Sequence, residues 1–282
     1  MGDPTVRRRR LGSELRRLRE VANFKLEDVA DQLGLTTTKL SRIETARINV
    51  KIADLDSLLD LYGVGDETQR RALHNLARDG RRRGWWQTYR HAISPEYADL
   101  ISLEADAKSM RSYETLLIPG LLQTSAYARA TINAINMTST TEQVNALVEV
   151  RVARQAVLTR PGPMQLWAVI HEAALRPSIT SSPVMRDQLQ RLLDLSELPH
   201  VSIQVLPSDA MPHPGMAGSF TMIGFPETSD LDVVLVESLT SALYVEDPAE
   251  VSIYGSAFER LRAAALPFDK SADLIAQTKD QT

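Results

Sequence analysis

The 282-residue chain contains no cysteine. Disulfides, thiolate metal sites and a cysteine nucleophile are excluded, and a cytoplasmic setting is the expectation. No apolar run reaches the roughly 18–20 residues that span a bilayer, so no membrane contact is expected. Arg7–Arg10 is basic, but no apolar stretch follows it, and a signal peptide is not expected. There is no Gly-rich phosphate loop after a strand and no Gly-x-Ser-x-Gly elbow. His171-Glu172 starts a zinc-hydrolase pattern, but Leu175 stands where the second histidine would have to be. His74, His91, His200 and His213 have no ligand spacing. The expectation is no enzyme, no metal and no cofactor. Internal repeats and low-complexity segments are also absent.

What is present is an uneven charge distribution. Residues 1–90 carry nineteen Lys/Arg and thirteen Asp/Glu, a net of +6, while the remainder has a net of −10. A basic N-terminal third on an acidic body points to a polyanion partner for that third alone. The length suits about two domains.

Residues 8–22 place Leu11, Leu15, Leu18 and Ala22 at helical spacing, with arginines on the other face. A second helix carries Leu26, Val29, Ala30 and Leu33. Glu27 and Asp28 lie in its first turn, where the helix dipole favours negative charge, and Gly34 supplies the left-handed stop. Thr36 is the expected N-cap of a third helix, about Thr37–Thr45, that buries Leu40 and Ile43. Thr37, Thr38, Ser41 and Arg42 then face outward. Two more helices are expected at about 52–62 and 66–79. A tight turn at Gly34 joining two short amphipathic helices, the second polar and basic outside, is a helix-turn-helix suited to a DNA major groove.

The runs LGSELRRLRE, LEDVADQLGLTTTKLSRIETAR and IADLDSLLDLYGV together resemble the XRE family of phage-repressor-like transcriptional regulators. The resemblance implies an all-α, five-helix, lambda-repressor-like domain that binds double-stranded DNA as a homodimer, cytoplasmic and nucleoid-associated. By that resemblance Thr37, Thr38 and Arg42 contact base edges. Arg42 suits guanine O6/N7, and the threonines suit a thymine methyl or a nearby oxygen. Thr36, Lys39, Arg47 and Asn49 fall at phosphate-contact positions. Arg19 and Glu44 match a structural pair tying the first helix to the third. Two positions depart from the pattern. Lys25 and Leu26 replace a Thr-Gln-type pair, with Lys25 able to offer a phosphate a charge contact instead. Ala46 replaces a frequent glycine; a left-handed alanine is strained by roughly 1 kcal/mol, so a different local turn is expected there. Arg7–Arg10 has two readings, an arm on phosphates or in a minor groove, or a solvated run.

Domain boundaries are expected at 1–80 for DNA binding, 81–94 for a linker and 95–282 for an α+β effector domain. In the linker (GRRRGWWQTYR from residue 80), Trp85 and Trp86 are expected to pack the fifth helix onto the next domain, with contact of the arginines to DNA backbone as the other reading. Beyond it, helices are expected at 95–106, 124–136, 140–159, 183–196, 248–265 and, short, 270–278. The 140–159 helix should bury Val144, Leu147, Val148, Val152 and Val157. Strands are expected at 107–118, 164–170, 201–207, 218–225, 232–238 and 241–246. Arg151 and Arg154 are expected to pair with Glu149 or Glu172. The loop 207–218 holds Met211, His213 and Met216; it reads as an adaptable ligand or partner surface, or simply as a strand connection.

TLLIPGLLQTSAYARA, VEVRVARQAVL, VIHEAALR, HPGMAGSF and YGSAFERLRAAAL resemble the uncharacterised effector domain attached to many XRE-type regulators of actinobacteria. The resemblance implies a module that dimerises, binds a small partner protein or senses a ligand. The expected function is a sequence-specific transcriptional regulator. The alternative is a protein-interaction switch or antitoxin-like module whose C-terminal domain binds a small partner or ligand.

Overall fold

The computed structural model describes residues 4–79, 84–135, 140–176, 180–210, 212–225 and 231–282. The chain divides into two compact units, Met1–Gly84 with Glu227–Leu231, and Trp85–Pro226 with Asp232–Thr282.

The first unit is helical: α1 Val6–Val21, α2 Leu26–Leu33, α3 Thr37–Glu44, α4 Ile52–Leu61 and α5 Glu67–Asp79. The Thr5 hydroxyl caps α1 by accepting from Arg8 N at 3.4 Å. Arg7–Arg10 is therefore the start of a helix, with Arg7 and Arg10 buried, and is neither an extended arm nor a solvated run. Leu11, Leu15, Leu18, Val29, Ala30, Leu40, Ile43, Leu55, Leu58 and Leu59 are buried, as the helical spacing requires. Gly34 closes α2 with φ +62°. Ala46 corrects an expectation, because it does adopt the left-handed conformation, at φ +57°. Three bonds hold the turn: Ala46 N to Ile43 O at 3.0 Å, and Arg47 N and Ile48 N to Arg42 O at 2.8 and 3.2 Å. The Ala46 methyl is buried besides. Closing the end of α3 in this way offsets a strain of roughly 1 kcal/mol.

The second unit is built on a six-stranded sheet. Its strands are β1 Ser109–Glu114, β2 Gln165–His171, β3 Val201–Leu206, β4 Phe220–Gly224, β5 Val233–Glu237 and β6 Ala242–Val245, in the order β3-β2-β1-β4-β5-β6. β1, β2 and β3 run parallel, and β4, β5 and β6 continue antiparallel. The helices are α6 Pro95–Asp106, α7 Ser125–Ile135, α8 Thr141–Arg154, α9 Ser182–Ser196, α10 Pro248–Ala264 and α11 Phe268–Gln281. One sheet face carries Tyr113, Val169, Met222 and Val234 against Val251, Phe258 and Leu261 of α10. The outer edge of β3 is closed by the segment entering α11, where Ser271 Oγ accepts from Val205 N at 2.9 Å and Leu266 N donates to Val205 O at 2.9 Å.

Several expectations here are corrected. The predicted 107–118 strand shortens to Ser109–Glu114 because the Pro119 segment turns away. The long 140–159 helix stops at Arg154 and tightens into a 3-10 turn, Gln155–Leu158, and Val152 is 43% exposed rather than buried. α11 is longer than the expected 270–278. Trp86 is buried within the second unit itself, with Ile93, Ile101 and Val150, while Trp85 is exposed and meets Trp86 and Tyr89 edge-on. Arg154 pairs not with Glu149 or Glu172 but with Glu104, through Nε at 2.8 Å and Nη2 at 2.5 Å. Arg151 reaches Tyr97 Oη at 3.1 Å and Gln123 Oε1 at 3.0 Å. The partners are distant in sequence, and Arg154 and Glu104 are both buried, where a guanidinium has no water to turn to.

Candidate nucleic-acid interface

The interface is built on α2, the Gly34 turn and α3. The Thr36 hydroxyl caps α3 by accepting from Lys39 N at 3.1 Å. Leu40, Ile43 and Glu44 point inward, which leaves Thr36, Thr37, Thr38 and Arg42 exposed; Lys25, Arg47 and Asn49 are exposed as well. Among the described residues Lys25, Arg42 and Arg47 have no carboxylate partner within ion-pair distance. Lys39 differs: its ammonium is 2.7 Å from Asp54 Oδ2, on the first turn of α4.

α2 lacks a threonine cap. Lys25 has no side-chain acceptor, but the Asp28 carboxylate accepts from Lys25 N at 3.0 Å and holds that helix end. Leu26 begins α2 and is half-buried.

Two long-range devices hold α3 in place. Arg19 bonds Glu44 bidentately, Nε to Oε1 at 2.7 Å and Nη2 to Oε2 at 3.0 Å, and also donates to Phe24 O at 2.9 Å. The Glu44 carboxylate faces the interior with its side chain 4% exposed, away from any groove. Gly12 of α1 lets the two helices touch: a Cβ there would lie 2.6 Å from Glu44 O and 2.8 Å from Ile43 O. Helical periodicity gives no sign of Gly12, since a glycine adds nothing to an apolar stripe. Asp54 is passed over because its partner lies fifteen residues away on another helix.

The second unit has polar groups at the carboxyl ends of its parallel strands, the end of such sheets where ligands often bind. The connection from β3 to β4 crosses this end. His213 meets the Tyr113 ring edge-on at 6.2 Å, and Gly215 packs so closely on Tyr113 that a Cβ would come within 2.4 Å of the ring. His213 Nδ1 is buried with no partner among the described residues, and desolvation, with His171 close by, lowers the His213 pKa. Met216 points outward, 69% exposed. Met211 lies outside the described residues. At the end of β1, Ser219 Oγ accepts from Thr115 N at 3.1 Å. Desolvation, and then the Glu237 carboxylate, push the neighbouring Glu114 carboxyl up to about 8, with Ser219 and Arg151 pulling the other way.

His171 ends β2, and its Nδ1 accepts from Ala173 N at 3.1 Å. Glu172 accepts from Ser208 N at 2.9 Å and meets Arg176 at 3.5 Å. Both residues are occupied in joining a strand to a 3-10 turn.

Arg151, Arg154, Tyr97, Glu104, Gln123, Gln155 and Gln188 form one internal network. Gln123 donates to Ile118 O at 2.7 Å, Gln155 to Gln123 O at 2.6 Å and Gln188 to Leu122 O at 2.9 Å. The network fixes the 118–124 segment. No helix among the described residues is long and apolar enough to cross a membrane.

Residues 10–73 match a helix-turn-helix domain, which supports DNA binding, and residues 97–277 match a domain of unknown function, DUF5753. Neither a curated protein nor a solved structure matches the chain. With most of its second unit and more than half its length covered, the chain belongs to the family defined by the domain of unknown function DUF5753, here joined to an N-terminal helix-turn-helix domain.

Proposed function

We propose that the protein is a sequence-specific transcriptional regulator of the XRE type, with α3 read into the DNA major groove. The observation that carries this reading is the outer surface of α3. Thr37, Thr38 and Arg42 are exposed on a helix whose opposite side is locked by Glu44, Leu40 and Ile43. Arg42 reads a guanine through O6 and N7, the threonines read neighbouring bases, and Thr36, Lys25, Arg47 and Asn49 hold phosphates. The protein acts as a homodimer on a two-fold operator with half-sites roughly 34 Å apart. The DUF5753 unit sets when the operator is occupied, through a ligand or a small partner protein, and has no catalytic role.

Selection of randomised duplexes on the full chain tests this. The reading predicts enrichment of a two-fold symmetric motif. Recovery of sequences with no shared motif would reject it.

A further inference from the structure

We infer that Asp54 competes with DNA phosphate for Lys39 and thereby weakens binding to non-specific DNA. The inference rests on the DNA-binding reading above and adds a residue to it. Lys39 occupies the first turn of the recognition helix, where a cation would be expected to meet backbone phosphate. Its backbone N–H is taken by Thr36 and its ammonium by Asp54 at 2.7 Å. Lys25, Arg42 and Arg47, also exposed, have no such carboxylate among the described residues, so of these four Lys39 is the one withheld.

The bridge is partly open to water, with side-chain exposures of 34% for Lys39 and 20% for Asp54. Pairs of this kind are weak and exchange readily. A phosphate can therefore displace Asp54, but only by bringing its own charge close to the carboxylate it has displaced. Asp54 sits in the first turn of α4, where the helix dipole stabilises its negative charge. On a loosely docked, non-specific duplex nothing forces the exchange. Lys39 stays with Asp54 and contributes nothing to counterion release. Each cation that does reach a phosphate steepens the dependence of log K on log salt by about 0.9. Asp54 thus removes about one phosphate contact from non-specific binding, which widens the gap on which operator discrimination depends.

The experiment measures anisotropy of the full chain on a short mixed-sequence duplex across about 50–200 mM KCl. Asp54→Asn should steepen the salt slope by about 0.9 and so tighten binding roughly eightfold at 0.1 M salt. The double variant Asp54→Asn with Lys39→Ala should return to the wild-type slope. If Asp54→Asn leaves the slope unchanged, or if the gain survives in the double variant, Asp54 does not act through Lys39 and the inference fails. Asp54→Ser, which keeps an oxygen in the first turn of α4, replaces Asp54→Asn if that variant unfolds. Arg47→Ala separates the two levels. If it flattens the slope while Asp54→Asn does nothing, only this inference is lost. If it leaves the slope unchanged, the reading of the surface itself is lost.

Discussion

Gly12→Ala sets two effects of opposite sign against each other. Gly12 lies inside α1, where replacing glycine by alanine ordinarily stabilises by about 1 kcal/mol. Here the new methyl would meet Glu44 O at 2.6 Å and Ile43 O at 2.8 Å, against ordinary carbon–oxygen separations near 3.4 Å. Both neighbours are backbone, so no rotamer change relieves the overlap, and α1 has to move off the end of α3. Overpacking of this sort costs about 1–3 kcal/mol, and a backbone clash belongs at the upper end. Subtracting the helical gain leaves a loss of about 2 kcal/mol. For a unit of this size that lowers the midpoint by about 10 °C. The assay is thermal unfolding of the full chain, following the transition of the first unit by circular dichroism. A midpoint equal to or above wild type would refute the close approach of α1 to α3. The Arg19–Glu44 pair spans the same contact, so Gly12→Ala should also weaken DNA binding.

Glu44→Ala removes both carboxylate hydrogen bonds from the buried Arg19 guanidinium, leaving Phe24 O and the Glu20 carboxylate at 3.7 Å, and should cost about 3 kcal/mol, the low end for a broken buried pair, read by urea unfolding. Glu104→Ala should cost about 3–5 kcal/mol in the second unit, because among the described residues it leaves the buried Arg154 guanidinium with Tyr97 as its hydrogen-bond partner. Ala46→Gly should be nearly neutral, within about 0.5 kcal/mol, since relief of left-handed strain offsets the loss of a buried methyl and the added chain entropy. Glu114 holds its proton up to a pH of about 8 in the folded protein, whereas the unfolded chain releases it near 4.5. Its stabilising contribution is complete below pH 4.5 and is lost as pH rises through 8. After discounting for partial exposure, stability should fall by about 1–2 kcal/mol across that window. Glu114→Gln should flatten the fall, and an unchanged pH profile would contradict the assignment.

The helix-turn-helix was legible because its signals are local. The Thr36 cap, the Gly34 stop and the spacing of Leu40 and Ile43 all lie within a few residues of the helix they define. Gly12, Asp54 and the left-handed Ala46 were not legible in the same way. Each depends on a neighbour brought in by tertiary packing, and at Ala46 three backbone bonds and a buried methyl overrode intrinsic preference. In the second unit the strands could be located from apolar runs, but their order could not, because nothing local tells β1 that its neighbours are β2 and β4. Arg151 and Arg154 show the same limit. Glu149 or Glu172 was expected to be their partner, and tertiary packing chose Glu104, Tyr97 and Gln123 instead. The charge split between the two parts of the chain pointed to the unit that matches the helix-turn-helix domain without pointing to a residue.

The central claim is that Arg42 reads a base while Arg47 holds the backbone. Both can be compared by affinity on the selected operator and on single-base variants of it. The account predicts that Arg42→Ala costs about 1–3 kcal/mol and relaxes preference at one base step. Arg47→Ala should weaken all sequences alike. An Arg42→Ala protein that keeps the wild-type affinity and the wild-type base preference would contradict the account.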